Sequence, residues 1–196
     1  MKRINVIGTT GSGKTTFSKE LSSVLGISYI QLDELFWKPN WVESKDEEFL
    51  PKVAAAVSED TWVLDGNFSR TKDIKWQRAD TVIWLDFNYF LTLTQLLKRT
   101  VYRAITKGEL WPNTDNRESF KKSFFDRSSI LMWFFKNYKS NRKKYFNAMQ
   151  SKEYPNLNFV HIQNRKEARD YIENARNKFK NENAASGTDA LNAPPF

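Results

Sequence analysis

Short apolar runs and longer stretches with helical spacing alternate along the chain. The apolar runs are residues 2–7, 28–30, 61–65, 80–86 and 158–162, and each is of ordinary strand length. The runs at 61–65 and 80–86 are continuously apolar, as expected of strands that are buried on both faces. Between them, apolar residues recur every three or four positions, which is typical of helices. This alternation predicts a five-stranded parallel sheet with helices on both of its faces.

Several helix boundaries can be predicted from the pattern. A long helix begins near Asn88, and a last helix begins at Asn164, where Glu167 completes a capping box. Two helices dense in aromatic residues are expected at 117–126 and 128–149. The apolar stripe of the helix that begins near Asn88 is predicted to be Leu93, Leu97, Val101 and Ala104.

The pattern predicts one α/β domain over residues 1–180. Residues 181–196 read NENAASGTDALNAPPF, which is too polar to build a core and predicts a disordered tail. A chain of 196 residues is long enough for a single domain with a sizeable core.

A glycine-rich segment joins the first strand to the first helix. Residues 8–15 fit G-x-x-x-x-G-K-[ST], the phosphate-binding P-loop, in the strand–loop–helix setting that this motif requires. The predicted nucleotide-binding residues of this loop are Gly8, Thr9, Thr10, Gly11, Ser12, Gly13, Lys14, Thr15 and Thr16. Lys14 is expected to reach the β- and γ-phosphates of a nucleoside triphosphate, and the Thr15 hydroxyl is expected to bind Mg²⁺. The fold predicted is therefore a P-loop NTPase with α/β/α layers.

Aspartates follow three of the other predicted strands. Asp33, Asp65 and Asp86 each lie at or just past a strand end, as Gly8 does. Because ligands bind beyond the carboxyl ends of parallel strands, one site is expected to collect the P-loop and up to three carboxylates. Asp86 has an alternative interpretation as the cap of the next helix, and Asp33 as the cap of a turn.

Composition excludes several kinds of chemistry. The chain has no cysteine, which excludes disulfides and thiolate sites, and one histidine, His161, which excludes a two-histidine metal site. No apolar run approaches a membrane span, and the chain opens directly on a strand. We therefore expect a cytoplasmic protein without a membrane partner.

Positive charge is concentrated in one segment. Residues 94–144 contain thirteen Lys or Arg and four Asp or Glu, a net +9, whereas the whole chain carries +8. A local basic segment favours an anionic partner, either nucleotide phosphates or a nucleic-acid backbone. The aromatic residues interleaved with these cations either pack in the core or stack on single-stranded nucleic acid.

Two further motifs carry a resemblance to a known family. The P-loop, the run Asp65-Gly-Asn-Phe-Ser-Arg-Thr71 and the run Arg78-Ala-Asp-Thr-Val-Ile-Trp-Leu-Asp86 resemble the adenylate-kinase-like P-loop kinases. Leu32-Asp-Glu-Leu-Phe-Trp-Lys-Pro-Asn-Trp41 also resembles a motif of the small bacterial proteins labelled "DNA topology modulation protein". The resemblance covers about residues 2–175.

The resemblance implies roles for particular residues. Asp65 would hold Mg²⁺ through water, and Arg99 and Arg103 would be lid arginines that stabilise the transferring phosphoryl group. The basic lid would span about 99–144, and the loop at Asn164 and Arg165 would lie beside the adenine. The acceptor-binding segment would span about 31–60 and include Asp33 and Trp37. Arg70, which follows that segment, would also bind the acceptor.

The resemblance has departures that affect the acceptor. Residues 31–60 contain no arginine, although adenylate kinases hold the AMP phosphate with one there, and Ser69 replaces the proline of the Asp-Gly-Phe-Pro-Arg motif. Trp37 either lines the acceptor pocket or packs in the core.

The sequence thus predicts an ATP- and Mg²⁺-dependent phosphotransferase, monomeric by default, that resembles nucleoside-monophosphate kinases. Its acceptor would be a small nucleotide-like molecule that offers a phosphate or a hydroxyl. The alternative is a nucleotide-gated ATPase that binds DNA or RNA through residues 94–144, and a small-metabolite or polynucleotide-end kinase is a third option.

Overall fold

The computed structural model describes residues 1–112, 114–118 and 129–189, with only the backbone described for 182–189. The strands are β1 (Arg3–Gly8), β2 (Ser28–Gln31), β3 (Trp37–Lys38), β4 (Val42–Glu43), β5 (Trp62–Asp65), β6 (Thr81–Leu85) and β7 (Asn158–Ile162). The α-helices are α1 (Lys14–Leu25), α2 (Leu32–Phe36), α3 (Asp46–Ala56), α4 (Lys72–Trp76), α5 (Tyr89–Thr106), α6 (Ile130–Gln150) and α7 (Arg165–Asp189). Short 3₁₀ helices lie at Pro39–Trp41 and Ser69–Thr71.

Five strands form one parallel sheet in the order β2-β5-β1-β6-β7. The prediction of a five-stranded parallel sheet is confirmed. In this sheet, Val6 of β1 pairs with Asp65 of β5, and Gly8 pairs with Leu85 of β6. The first turn of the P-loop therefore lies between the ends of two neighbouring strands. The antiparallel pair β3–β4 was not expected from the pattern.

Helices cover both faces of the sheet, which gives three layers. On one face, side chains of α1 and α7 pack against alternate strand residues, among them Val63 and Leu85. On the other face, α4 and α6 supply Trp76 and Tyr145, which pack against Ile7. A third cluster joins α2 and α3 to β5.

The long helix α5 buries a slightly different face from the one expected. Its buried residues are Thr92, Leu96, Thr100 and Ala104. Leu93 and Leu97 are only partly buried, against α6. Two threonines, Thr92 and Thr100, are therefore buried on this face, and the Thr92 hydroxyl donates to the carbonyls of Phe87 and Asn88.

The predicted lid and tail are described only in part. Residues 99–106 belong to α5 and 130–144 to α6, while 119–128, which contain most of the helix predicted at 117–126, lie outside the described residues. The last helix extends beyond Lys180 to Asp189, into the segment predicted to be a disordered tail. None of the helices in the described parts of the chain is apolar enough over a sufficient length to span a membrane.

Candidate functional site

The P-loop wraps the point where β1 meets α1. Gly8 has φ +153°, and a Cβ there would lie 2.6 Å from the carbonyl oxygen of Leu85, so no larger residue fits between the strands. Ser12 N–H donates to the Thr9 carbonyl and closes the turn, and Gly13 enters the helix in a left-handed conformation. Thr9, Gly11 and Ser12 are buried, and Thr16 is exposed on the first turn of α1.

Lys14 is half-buried beneath this loop. Its Nζ donates to the carbonyl oxygens of Gly8 and Thr9, at 2.9 and 3.1 Å. Burial lowers the pKa of the Lys14 ammonium, whereas the nearby Asp65 and Asp33 oppose that change. A phosphate bound in the loop would replace the two carbonyls as the partner of this cation.

Thr15 and Asp65 form the oxygen pair at the start of α1. The Thr15 hydroxyl donates to Asp65 Oδ2 at 2.6 Å, and the Tyr29 hydroxyl donates to the same oxygen at 3.3 Å. Burial, followed by the charge of Asp65, raises the pKa of Tyr29 well above its ordinary value, so this hydroxyl stays a donor. Tyr29 was not predicted as a site residue.

Asp33 lies close enough to these groups for its charge to interact with theirs. Its pKa is raised first by burial and then by Asp65, and the cations Lys14, Arg99 and Arg103 oppose the rise. The structure thus brings two carboxylates and three cations, all predicted from the sequence, into one electrostatic cluster.

The two arginines come from the buried side of α5. Arg99 Nη2 donates to the Thr10 hydroxyl at 3.3 Å, which places this guanidinium against the P-loop. Burial, and next the neighbouring Arg103, lower the pKa of Arg99. Arg103 pairs with Glu118 at 3.0 Å. An anionic oxygen could bind the Arg99 guanidinium beside the P-loop, whereas at Arg103 it would have to compete with Glu118.

Asn67 is a residue of this site that the motif analysis missed. Its side-chain Oδ1 accepts from Gly8 N–H at 3.1 Å and its Nδ2 donates to the Gly8 carbonyl at 2.7 Å. Asn67 follows Asp65 and Gly66 in the sequence, so one turn carries both the Asp65 carboxylate and the amide that hydrogen-bonds the P-loop. Its position after a strand end was the available signal.

The predicted acceptor residues lie on the β2–α3 side of the site. Arg70 pairs with Asp46 at 2.7 Å, and its guanidinium lies over the rings of Phe36 and Phe49, at 4.8 and 5.3 Å. An acceptor phosphate would therefore have to displace a carboxylate to reach Arg70.

Trp37 belongs to an aromatic cluster over this side of the site. Its ring contacts those of Phe36, Trp41 and Trp111, with centroid distances of 5.0, 5.5 and 6.4 Å. Asn116 ties this cluster together, since it accepts from Trp41 N–H at 2.7 Å and donates to the Lys38 carbonyl at 2.9 Å. The loop after α5 is thereby fastened to the acceptor segment.

The predicted adenine-side residues stand at the start of α7. Asn164 Oδ1 accepts from Glu167 N–H at 3.0 Å, as a capping residue does. Arg165 connects to the P-loop through Gln95: with its amide nitrogen toward the Gly11 carbonyl, Gln95 also accepts from Arg165, both at 3.2 Å.

The third strand-end carboxylate has other partners. Asp86 is buried and binds Arg142 through both of its oxygens, at 2.6 and 2.9 Å, and His161 Nε2 lies 3.0 Å from Oδ2. The expectation that Asp86 joins the P-loop carboxylates is therefore wrong, because Asp86 forms an ion pair with Arg142 of α6. Its alternative, a helix cap, is wrong as well, since Asn88 accepts from Leu91 N–H at the start of α5.

Comparison with known proteins supports this fold. A family model described as an AAA domain matches residues 4–99, which include the P-loop, Asp65 and Arg99. No sequence among the curated proteins matches the chain.

Among solved structures, shikimate kinase from Acinetobacter baumannii in complex with shikimate is similar at 16% identity and TM-score 0.52, covering 89% of this chain and 90% of that one. Shikimate kinase from Bacteroides thetaiotaomicron is similar at 14% identity and TM-score 0.51, covering 91% of this chain and 98% of that one. The chain therefore has a P-loop kinase fold with three α/β/α layers.

Proposed function

We propose that this protein is an ATP- and Mg²⁺-dependent kinase that transfers the γ-phosphoryl group to a small acceptor. The observation that carries the proposal is the cluster of Lys14, Asp65, Asp33, Arg99 and Arg103 around one P-loop. Phosphoryl transfer needs positioning and positive charge rather than a nucleophilic side chain, and this cluster supplies both.

The residues at the start of α1 fit a magnesium ion. The Thr15 hydroxyl and the Asp65 carboxylate, 2.6 Å apart, are oxygen ligands of the kind that Mg²⁺ prefers. In the described parts of the chain there is no group of three or more Asp, Glu, His or Cys residues that could hold a metal, which suits an ion shared with substrate phosphates. When bound, Mg²⁺ would neutralise charge on the β- and γ-phosphates.

The arginines and the carboxylates have separable tasks in this proposal. Lys14 and Arg99 hold the phosphates against the loop, and Arg103 adds charge where it develops on the transferring group. Asp33 is the candidate that accepts the proton of an acceptor hydroxyl, because burial and Asp65 raise its pKa and so make it a stronger base.

The acceptor side favours a hydroxyl over a nucleotide phosphate. Arg70 is already paired with Asp46, and residues 31–60 contain no arginine that could replace it. The aromatic cluster of Trp37, Trp41 and Trp111 offers an apolar wall for a small ring or sugar. A nucleoside monophosphate, the acceptor that the resemblance implies, remains the competing prediction.

The test is ADP production from Mg-ATP with a panel of acceptors: nucleosides, polyols and sugars, hydroxy acids, nucleoside monophosphates and DNA ends. We expect one hydroxyl acceptor to stimulate turnover, and Lys14→Ala to abolish that stimulation. Arg99→Met should lower kcat by about a hundredfold or more, whereas Arg176→Met, on α7, where the arginine pairs with Glu173, should not. If the chain binds no ATP, or if Lys14→Ala turns over normally, the proposal is wrong.

Asp33→Asn separates the two acceptor classes. With a hydroxyl acceptor, this variant should lose kcat and keep its ATP affinity, because only proton acceptance is removed. Stimulation by a nucleoside monophosphate, with normal turnover in Asp33→Asn, would support the nucleotide acceptor instead.

One observation supports the alternative nucleic-acid function. Helix α6 carries five cations and no acid, with Trp133, Phe135 and Phe146 exposed on it. All five cations are exposed: Lys136, Lys139, Arg142, Lys143 and Lys144. If α6 binds single-stranded nucleic acid, affinity should fall steeply with added salt, and Lys139→Gln should weaken it. A gel shift that shows no complex at low salt would remove this alternative.

A further inference from the structure

A cavity lies behind the P-loop, on the face of the sheet that α4 and α6 cover. Its volume is about 260 Å³, smaller than the roughly 300–1,000 Å³ of typical ligand pockets, so it suits a small molecule. Ile7, Trp76 and Tyr145 line it with apolar surface. Arg70 and the aromatic cluster of Trp37 lie beyond β5 on the α2–α3 side, so this cavity is separate from the predicted acceptor site.

Lysines converge on this cavity. Lys72 and Lys144 line it, and the Lys144 ammonium hydrogen-bonds the Ser69 hydroxyl, which also lines it. Lys75 is buried behind the wall and donates to the carbonyl oxygens of Gly66 and Asn67. The Lys75 and Lys144 ammonium groups, from two different helices, both bond the turn at 66–69, whereas the Lys72 ammonium pairs with Glu153.

These like charges influence one another. Burial, and next the charge of Lys72, lower the pKa of Lys144, and burial followed by Lys144 lowers the pKa of Lys75. One carboxylate, Glu153, lines the cavity and pairs with Lys72 at 2.8 Å. Lys72 is half-buried and Lys144 is exposed. Two lysines and one glutamate line the cavity, so an anion bound there would offset the repulsion between the two cations.

Polar groups that can orient an oxyanion are also present. Asn67, Asn147 and Ser151 line the cavity together with Ser69. Lys72 is held in place by Glu153 and by the rings of Trp76 and Tyr154, whose centroids lie 5.6 and 5.0 Å from its Nζ. A positioned cation beside apolar rings suits an anion carried on a short organic body.

We propose that this cavity binds a small organic phosphate, with Lys144 and Lys72 as its cationic ligands and the rings of Trp76 and Tyr145 against its organic part. The cavity shares Asn67 with the P-loop but lies on the opposite face of the sheet from α1, and the proposal does not rest on the proposed kinase activity.

The test is calorimetric titration of the full chain with glycerol 3-phosphate. Saturating Mg-ADP is present so that the P-loop is blocked and the probe cannot bind there. We expect a dissociation constant in the millimolar range or below. Lys144→Gln and Lys72→Gln should each weaken binding by about tenfold, the effect of one lost charge-assisted hydrogen bond. Inorganic phosphate should bind more weakly, because it lacks the organic part.

Two matched variants decide where the probe binds. Lys139→Gln removes the same charge from an exposed residue of the same helix that does not line the cavity, and it should leave the affinity unchanged. If Lys139→Gln lost as much affinity as Lys144→Gln, the probe would be attracted by the overall positive charge of the chain rather than by this cavity, and the proposal would be overturned. Loss of binding in Arg70→Gln with normal binding in Lys144→Gln would place the probe in the acceptor site and also overturn it, as would the absence of binding at about 10 mM.

Discussion

Lys75 is a buried lysine that supports the turn carrying Asp65. Its side chain is 1% exposed, and Nζ donates to the carbonyl oxygens of Gly66 and Asn67, at 3.2 and 2.6 Å. Burial, and next the charge of Lys144, lower the pKa of Lys75 to about 7. A neutral amine has two N–H donors, which matches the two carbonyl acceptors. Lys75 should therefore be largely uncharged in mildly alkaline solution.

This shift makes the stability of the protein depend on pH in a defined direction. The unfolded chain keeps the ordinary lysine pKa of 10.5, so between pH 7 and 10.5 it binds a proton that the folded chain has released. Stability rises with pH wherever the unfolded state holds more protons. With about 1.4 kcal/mol per pKa unit, the free energy of unfolding should gain about 2 kcal/mol from Lys75 between pH 7 and 9.

The measurement is urea unfolding of the wild type and of Lys75→Met at pH 7 and at pH 9. Other titrating groups cancel in the difference between the two proteins, and we expect that difference to move by about 2 kcal/mol in favour of the wild type at the higher pH. Exposed Lys139→Met is the control and should show no such change. A constant difference between wild type and Lys75→Met would refute the lowered pKa, whatever the size of that difference.

Two further substitutions test the strand ends on either side of the P-loop. Gly66 has φ +143°, and a Cβ there would lie 2.7 Å from Leu32 Cβ. Gly66→Ala should therefore lower the free energy of unfolding by about 2–4 kcal/mol. Gly108→Ala is the control: a Cβ at Gly108 would have its nearest contact at 4.0 Å, so this substitution should change the free energy of unfolding by less than about 0.5 kcal/mol. Arg142→Leu leaves the buried Asp86 without its bidentate partner and should cost about 2 kcal/mol in urea unfolding; an unchanged stability would show that this pair contributes nothing.

Much of the fold and the centre of the site could be predicted from local pattern. The apolar runs predicted the five strands. The central strands β1, β5 and β6 are buried along nearly their whole length, which favours continuous apolar sequence, whereas the edge strands β2 and β7 are mostly half-buried. The P-loop motif predicted Lys14 and Thr15, since its spacing alone sets the geometry of the loop.

Side-chain pairings between distant segments could not be predicted in this way. A lysine in the run at 72–76 indicates an exposed helix position, because lysine is rarely buried, yet Lys75 is buried under two carbonyls. Arg70 is a second example: its motif predicts a phosphate ligand, but its guanidinium forms an ion pair with Asp46 of α3. The burial of Lys75 and the pairing of Arg70 both depend on which helices pack against each other. The periodicity of a single sequence does not show which helices do so.

The different fates of Asp65 and Asp86 follow from strand alternation. Successive side chains of a strand point to opposite faces, so Asp65 shares a face with Val63, which packs on the α1 side of the sheet. It therefore meets Thr15 of α1. Asp86 continues the face of Trp84, which packs on the α6 side, and it meets an arginine there instead. Two aspartates in the same position relative to a strand end thus reach opposite sides of the sheet. Once α1 is assigned to one face, the parity of each residue decides which carboxylate can serve the P-loop.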